Sequence, residues 1–346
     1  MTVSVRDVAR LARVSVGTVS NVLNRPEKVA PPTIERVQQA IEQLGFVRND
    51  AARQLRAGRS TTIGLIVLDV SNPFFTELAR GAESSAAQEG LSVILGNSDE
   101  DPDRESAYLD LFEEQRTQGI LISPIGDIAQ RLARLRERGT PAVLVDRHGE
   151  DSGCSSVSVD DVAGGSMAVS HLLNGGRRRI AFLAPPGDMQ QVADRLEGAR
   201  RALAERGDAT LEVVTTDGLT VSDGRRAGDQ LRERPLDARP DAIFAANDLL
   251  AIGVLQSLVM TDSVAVPDDV ALVGYDDIDF ASSAVVPLTS IRQPSRLIGS
   301  TAVEILLEEA ADPSLAPRTI VFQPELVVYL AGSDPYEKCA LPGSHF

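Results

Sequence analysis

Apolar residues recur at three- and four-residue spacing through residues 4–24, SVRDVARLARVSVGTVSNVLN, with one break in the middle. The pattern predicts two short helices joined by a tight turn. In the first, Val5, Val8, Ala9, Leu11 and Ala12 make the apolar face, and Ser4 with Asp7 supplies the S-x-x-D signature of a capping box. In the second, Ser15 is placed to cap, Val16, Val19, Val22 and Leu23 are expected to turn inward, and Asn24 is expected to stop the helix in a left-handed conformation. The outward residues, Gly17, Thr18, Ser20 and Asn21, are small and uncharged. Such a face fits a DNA major groove and reaches base edges, although a plain helical hairpin would show the same spacing.

The segment RPEKVAPP reads as a loop, after which Pro31 and Pro32 open a third helix with Ile34, Val37, Ala40, Ile41 and Leu44 on one face and Gly45 as its stop. Residues 49–59, NDAARQLRAGR, could form a two-turn basic helix capped by Asn49. A helix that short is unstable alone, so the segment is either a flexible basic linker or one that folds only on DNA. From Thr61 the texture changes: apolar, β-branched runs such as TIGLIVLDV, SVILGN, GILISPI and PAVLVD alternate with helical stretches, and RIAFLAP, LEVVTTD, DAIFAAND and VALVGYDD repeat the scheme. Nearly continuous apolar strands alternating with helices predict an α/β core of two doubly wound parallel-sheet subdomains behind an all-α helix-turn-helix head. Polar residues gather where strands end: Asp69, Asn72, Asp146, Arg147, Asn247, Asp248, Asp276 and Asp277. Open α/β sheets bind ligands at those ends.

Charge sharpens this picture. The chain of 346 residues carries a formal charge of −16, which by itself argues against nucleic acid. Residues 1–60, however, hold ten Lys/Arg against five Asp/Glu, and the remainder 24 against 45. A basic head on an acidic body is therefore expected, with DNA as the partner of the head. There is no apolar run long enough to span a membrane and no apolar stretch after the start MTVSVRDVAR, so a cytoplasmic protein is expected, with no membrane partner. Cys154 and Cys339 suggest neither a disulfide framework nor a metal site. G-x-S-x-G, H-E-x-x-H and a phosphate-cradling glycine loop are all missing, and His148, His171 and His345 have no evident nucleophile partner. Neither catalysis nor a cofactor is expected. A sugar-binding or transport protein with no DNA role is the other class, and the basic head argues against it.

The residues VRDVARLARVSVGTVSNVLN, NDAARQLRAG, SNPFF (71–75), DRLEG (194–198), AND (246–248), VGYDD (273–277) and TSIRQP (289–294) together resemble the LacI/GalR type of bacterial transcriptional regulator, from Val3 to Gly332. The resemblance implies a repressor that binds a palindromic operator as a homodimer or a dimer of dimers, with a two-lobed, periplasmic-binding-protein-like core that holds a small-molecule effector. It implies a helix-turn-helix domain at 1–48, a hinge at 49–60 and a core at 61–332. The first lobe takes about 61–158 and 291–320, the second about 159–290 and 321–332, with a loose tail at 333–346. No leucine heptad follows Leu330, which favours the dimer.

Carried over by position, the resemblance assigns base reading to Val16, Gly17 and Asn21. It assigns register-fixing phosphate contacts to Ser15, Thr18 and Ser20, further DNA contacts to Arg6, Asn24, Thr33 and Asn49, and a minor-groove wedge to Leu55 with Ala52 and Arg53 beside it. Arg13 occupies a turn position where the family usually has glycine, and Ala30 replaces a serine cap. Both substitutions predict a softened head. Effector contacts are implied at Asn72, Phe74, Phe75, Asp146, Arg147, Arg195, Asn247, Asp276 and Gln293. Arg195 and Asp276 could instead pair with each other, and Phe74 and Phe75 could be core residues. The fork donor, amide and carboxylate suit the hydroxyls of a sugar, the first expectation, and also a purine or nucleoside. Leu219 sits where relatives often carry an aromatic ring, and the chain has no Trp.

Overall fold

The structure, a computed structural model, describes residues 3–46, 60–149, 152–187, 189–260 and 264–329. The hinge residues Asn49, Ala52, Arg53 and Leu55 and the tail 333–346 lie outside the described residues. The chain divides into two compact units, Met1–Arg59 and Ser60–Phe346.

In the first unit, α1 (Val5–Ala12), α2 (Val16–Asn24) and α3 (Pro31–Leu44) close around Val8, Ala9, Ala12, Val19, Val22, Val37 and Ala40. Asp7 accepts hydrogen bonds from the backbone N–H and the hydroxyl of Ser4, at 3.0 and 2.6 Å. Arg13 ends α1 at φ 54°, in left-handed conformation, with its N–H on the carbonyls of Ala9 and Arg10. For a residue with a Cβ that geometry costs about 1 kcal/mol. Ala30 precedes α3 without any side-chain cap. Leu11 and Val16, expected inside, are 42% and 40% exposed. Helices of eight and nine residues bury only one narrow stripe in so small a head, and these two side chains fall at its margin. Asn24 is not the left-handed stop. It is the last residue of α2 and donates from Nδ2 to the Ser20 carbonyl at 2.9 Å. Termination comes from Arg25 at φ −148°, because the residue before a proline, here Pro26, is driven out of helical conformation.

The second unit holds two six-stranded sheets among the described residues. One contains β1 (Thr62–Val67), β2 (Ser92–Asn97), β3 (Ile120–Ile122), β4 (Ala142–Val145), β5 (Ser155–Val159) and β11 (Thr319–Phe322), in the order β11-β5-β4-β3-β1-β2, all parallel. The other contains β6 (Arg179–Ala184), β7 (Thr210–Thr215), β8 (Ala242–Ala245), β9 (Ala271–Asp276), β10 (Thr289–Arg292) and β12 (Glu325–Val327), in the order β12-β10-β9-β8-β6-β7. Helices cover both faces of the first sheet. On one side α4 (Pro73–Gln88) and α11 (Ser295–Ala311) enclose Leu65, Val67, Leu121 and Val143. On the other, α5 (Pro102–Glu114) and α6 (Ala129–Glu137) enclose Ile66, Ile120 and Ile122. Central strands buried on both faces explain why their sequences run apolar without alternation. In the second half, α7 (Asp161–Asn174) packs on α8 (Gln190–Arg206), and α9 (Val221–Glu233) on α10 (Asp248–Val259).

The chain passes between the sheets at Asp160, at Gln293–Pro294 and at Gln323–Pro324. β12 is antiparallel to β10, against the all-parallel expectation. It enters its sheet at the end where the parallel strands finish, so it can only run back along them. No helix of the described residues is long and apolar enough to cross a membrane.

One close approach fixes how α7 and α8 lie against each other. A Cβ built on Gly165 of α7 would lie 2.0 Å from the Arg195 carbonyl oxygen on α8. Only a glycine lets the two helices meet at that distance. Gly165→Ala is expected to lower stability by about 1–3 kcal/mol in urea denaturation, as over-packing does. Gly126→Ala, where nothing lies within 4 Å, is expected to change stability little. Equal losses in the two variants would contradict this packing.

Candidate functional sites: a recognition helix and a cleft between two sheets

The α2 helix is capped at its start by Ser15, whose hydroxyl accepts from the Thr18 N–H at 3.0 Å and lies 2.9 Å from the Thr18 hydroxyl. Burying Val19 and Val22 leaves Ser15, Val16, Gly17, Asn21 and Asn24 exposed and Thr18 and Ser20 half-buried. Arg6 on α1 is exposed, and half-buried Thr33 on α3 accepts from Arg36 at 3.4 Å. The Asn21 amide is thus presented on an otherwise small face. An amide so placed can pair bidentately with adenine, and the methyls of Val16 can meet a thymine methyl.

In the core, strand ends from both sheets converge on a cleft of about 480 Å³ lined by Leu68, Asp69, Asn72, Phe74, Phe75, Glu100, Asp146, Met189, Gln191, Val192, Arg195, Leu219, Asn247, Asp276 and Gln293. Asn72 caps α4 by accepting from the Phe74 N–H at 3.0 Å, and its amide nitrogen reaches across to Asp276 at 3.0 Å. Asn247 caps α10 in the same way, accepting from Leu250 at 2.9 Å and donating to the Leu219 carbonyl at 3.1 Å. Gln191 at the start of α8 donates to Asp146 at 2.9 Å, a second link between the halves. Gln293, on a connection that crosses between the sheets, donates to the other oxygen of Asp276 at 2.8 Å. Phe74 and Phe75 meet edge to face at 5.0 Å. Each belongs to the core and also lines the cleft, so the two roles expected for them coincide.

Arg195 is the hub. Its Nε donates to Asp161 at 2.8 Å, its Nη1 to the Ala246 carbonyl at 2.7 Å, and its guanidinium carbon stands 3.7 Å from the Tyr275 ring centroid. The ion pair is therefore with Asp161 on α7, not with Asp276. Arg147 is not brought to the cleft; it donates to the Gly126 carbonyl at 2.6 Å instead. Asp146, Asp276 and Asp277 sit at φ 57°, 110° and 51°. These are costly conformations for residues with a Cβ, and strain of this kind clusters at binding sites. Asp248 holds the strained turn, accepting from Ser290 at 2.6 Å and from the Ile278 N–H at 2.9 Å.

Some lining residues carry little signal in the sequence. Met189 precedes α8 and Gln191 lies in its first turn with no motif to mark them, and Asp161, the partner of the lining residue Arg195, is visible only as the second acid of SVSVDD. Asp69 and Asp248 are among the polar residues at strand ends. No group of three or more His, Cys, Asp or Glu among the described residues is arranged to hold a metal ion.

Burial dominates the electrostatics. It pushes the Asp146 carboxyl up to about 8, helped by the charge of Asp161 and opposed by Arg195 and the Gln191 bond. It pushes Asp276 up to about 6, opposed by Arg195 and by the bonds from Asn72 and Gln293. Asp146 Oδ1 and Gln293 Oε1 have no hydrogen-bond partner. Gln293 Oε1 is an acceptor, and the Asp146 carboxyl, protonated below about pH 8, can donate or accept there, so a ligand with hydroxyls, which do both, completes the site.

An acid whose folded value is raised binds more protons folded than unfolded, so its contribution to stability is full below about pH 4 and is lost as pH rises to the raised value. Thermal unfolding temperature is expected to fall from about pH 4 to about pH 8, where Asp146 finishes titrating, and to level above it. Asp146→Asn is expected to flatten the part between about pH 6 and 8. An unchanged pH profile in that variant would contradict the assignment.

Residues 4–49 match the family of bacterial regulatory proteins, lacI family, and residues 169–329 match the periplasmic binding protein-like domain. The chain is 34% identical over 331 residues to the HTH-type transcriptional repressor PurR of Aliivibrio fischeri (strain MJ11), covering 94% of this chain and 96% of that one. It is 33% identical over 331 residues to the ribose operon repressor of Escherichia coli (strain K12), covering 94% and 98%. The crystal structure of the lac repressor dimer bound to operator and the anti-inducer ONPF superposes with a TM-score of 0.80 at 26% identity, covering 95% of this chain and 98% of that one. The helical head, the pair of parallel sheets and these likenesses agree: the chain belongs to the lacI family of bacterial regulatory proteins.

Proposed function

We propose that this DNA-binding transcriptional repressor reads a palindromic operator through α2 as a homodimer, acts in the cytoplasm, and is controlled by a sugar bound in the cleft between its two sheets. The observation that carries the effector reading is the lining itself. Asn72, Asp146, Gln191, Arg195, Asp276 and Gln293 surround one small space with amide, carboxyl and guanidinium groups, and Asp146 Oδ1 and Gln293 Oε1 have no partner within the protein. A ring of hydroxyls supplies donors and acceptors in all directions, while Leu68, Val192, Leu219 and Met189 offer apolar walls to its carbon face. The relatives that the chain matches are named as repressors, so binding without catalysis is the reading.

A purine or nucleoside is the second reading, favoured by the phenyl rings in the wall and by the relatives named PurR. Phe74 and Phe75 are only 4% and 6% exposed and pack edge to face, which leaves little ring surface for stacking a base. The sugar reading is therefore preferred.

Association of two copies is supported by a broad apolar groove on the second half, lined by Val221, Ile252, Leu255, Val259, Met260, Phe280 and Val285. Phe280, Met260 and Val285 are 59%, 74% and 87% exposed, and large apolar side chains left to water together mark interaction surfaces.

Selection from random duplex DNA tests the operator reading. The full-length protein is expected to enrich a palindrome whose affinity falls steeply with salt, from phosphate contacts. Asn21→Ala is expected to lose about 1–3 kcal/mol of discrimination at one base pair in each half-site with an unchanged salt slope. Failure to enrich any sequence, or an unaltered base preference in the variant, would overturn this reading.

A further inference from the structure

Among the described residues, the cleft lining carries the acids Asp69, Glu100, Asp146 and Asp276 and one cation, Arg195. The charge of that cation is already offset by Asp161, which holds its Nε at 2.8 Å, while the Ala246 carbonyl holds Nη1 at 2.7 Å and the Tyr275 ring covers its face at 3.7 Å. Arginines beside the mouth are committed as well. Arg104 bonds Asp99 at 2.7 Å, and Arg226 is paired with Asp223 and with Asp217. At the mouth, burial and the charges of Asp69, Asp99 and Asp223 raise the Glu100 carboxyl above its ordinary range. Asp69, Asp99 and Glu100 come from the first half and Asp223 from the second, so like charges face one another where a ligand enters.

A second observation points the same way. The buried Oε1 of Gln293, a lining residue only 4% exposed, is an acceptor without a hydrogen-bond partner. A hydroxyl can donate to it. A phosphate dianion has no proton to donate and would be buried beside acids, next to a cation whose charge Asp161 already offsets.

We infer that the cleft takes the free, unphosphorylated form of its sugar and rejects the phosphorylated form, so that the repressor answers to the substrate of a sugar-phosphorylating reaction and not to its product. The inference rests on the sugar reading and names which chemical form of the sugar is sensed. Glu100 and Asp69 act here as specificity-determining residues, by repulsion of the wrong ligand more than by attraction of the right one.

Isothermal titration of the full-length protein with matched pairs tests this: D-ribose and D-ribose 5-phosphate, D-glucose and D-glucose 6-phosphate, D-mannose and D-mannose 6-phosphate, adenosine and adenosine 5′-monophosphate. The expected result is that one free sugar binds and its phosphate binds at least about 100-fold more weakly, as like-charge juxtaposition in a desolvated site imposes. In the double variant Asp69→Asn, Glu100→Gln that ratio is expected to shrink about tenfold as the repulsion is removed. A sugar phosphate that binds as tightly as its free sugar, or more tightly, overturns this inference and leaves the sugar-controlled repressor standing. Binding of adenosine with no sugar bound, or no binding in any pair, overturns the sugar reading and this inference with it.

Discussion

One buried guanidinium holds the effector cleft together. Arg195 lies at 5% exposure beside Asp161, within the field of Asp146 and Asp276, against the face of Tyr275. A charge so placed is tolerable only with its partners in position, and removing one partner of a buried pair costs roughly 3–5 kcal/mol. Its location follows from a lower level. Gly165 lets α7 and α8 meet at the Arg195 backbone, Asp161 opens α7 directly after the crossing from β5, and Ala246, the residue after β8, presents the carbonyl that Arg195 needs. Sheet order, helix packing and ion pair therefore determine one another.

The same arrangement makes the cleft a junction between two halves that can move. Three short connections join the sheets, and side chains bridge them at Asn72–Asp276 and Gln191–Asp146. These bridges involve the acids whose charged forms burial penalises and whose backbones are strained. Under the proposed function, a ligand that hydrogen-bonds Asp146 and Gln293 shifts the balance between two arrangements of these halves, and it can shift it only by its differential affinity for them. A coupling of about 1–3 kcal/mol changes operator affinity from several-fold to more than a hundredfold.

Much of this architecture is readable in the residues. Continuous apolar strands such as TIGLIV and RIAFLA, buried on both faces, announce parallel sheets, and the polar residues just beyond them mark the cleft. The capping patterns of Ser4 and Ser15 announce the head. The features that are not readable depend on tertiary geometry. Nothing local tells whether Arg147 turns towards the cleft or towards the Gly126 carbonyl, or that Arg195 selects Asp161 over Asp276. Gln191 carries no motif, and its position follows from how α8 is aimed. Leu11 and Val16 have the right spacing for the head core, but a three-helix core this small cannot bury every apolar position. β12 runs antiparallel for a topological reason that no strand propensity encodes.

The central claim is that effector and operator act on one equilibrium through the cleft. Its most direct test is to titrate the effector sugar calorimetrically into the free protein and into the protein saturated with its selected operator. Linkage requires the sugar affinity to differ between the two by the same factor by which the sugar changes operator affinity, expected to be about 5- to 150-fold. Identical sugar affinities in the presence and absence of operator would contradict the account, however tightly the sugar binds.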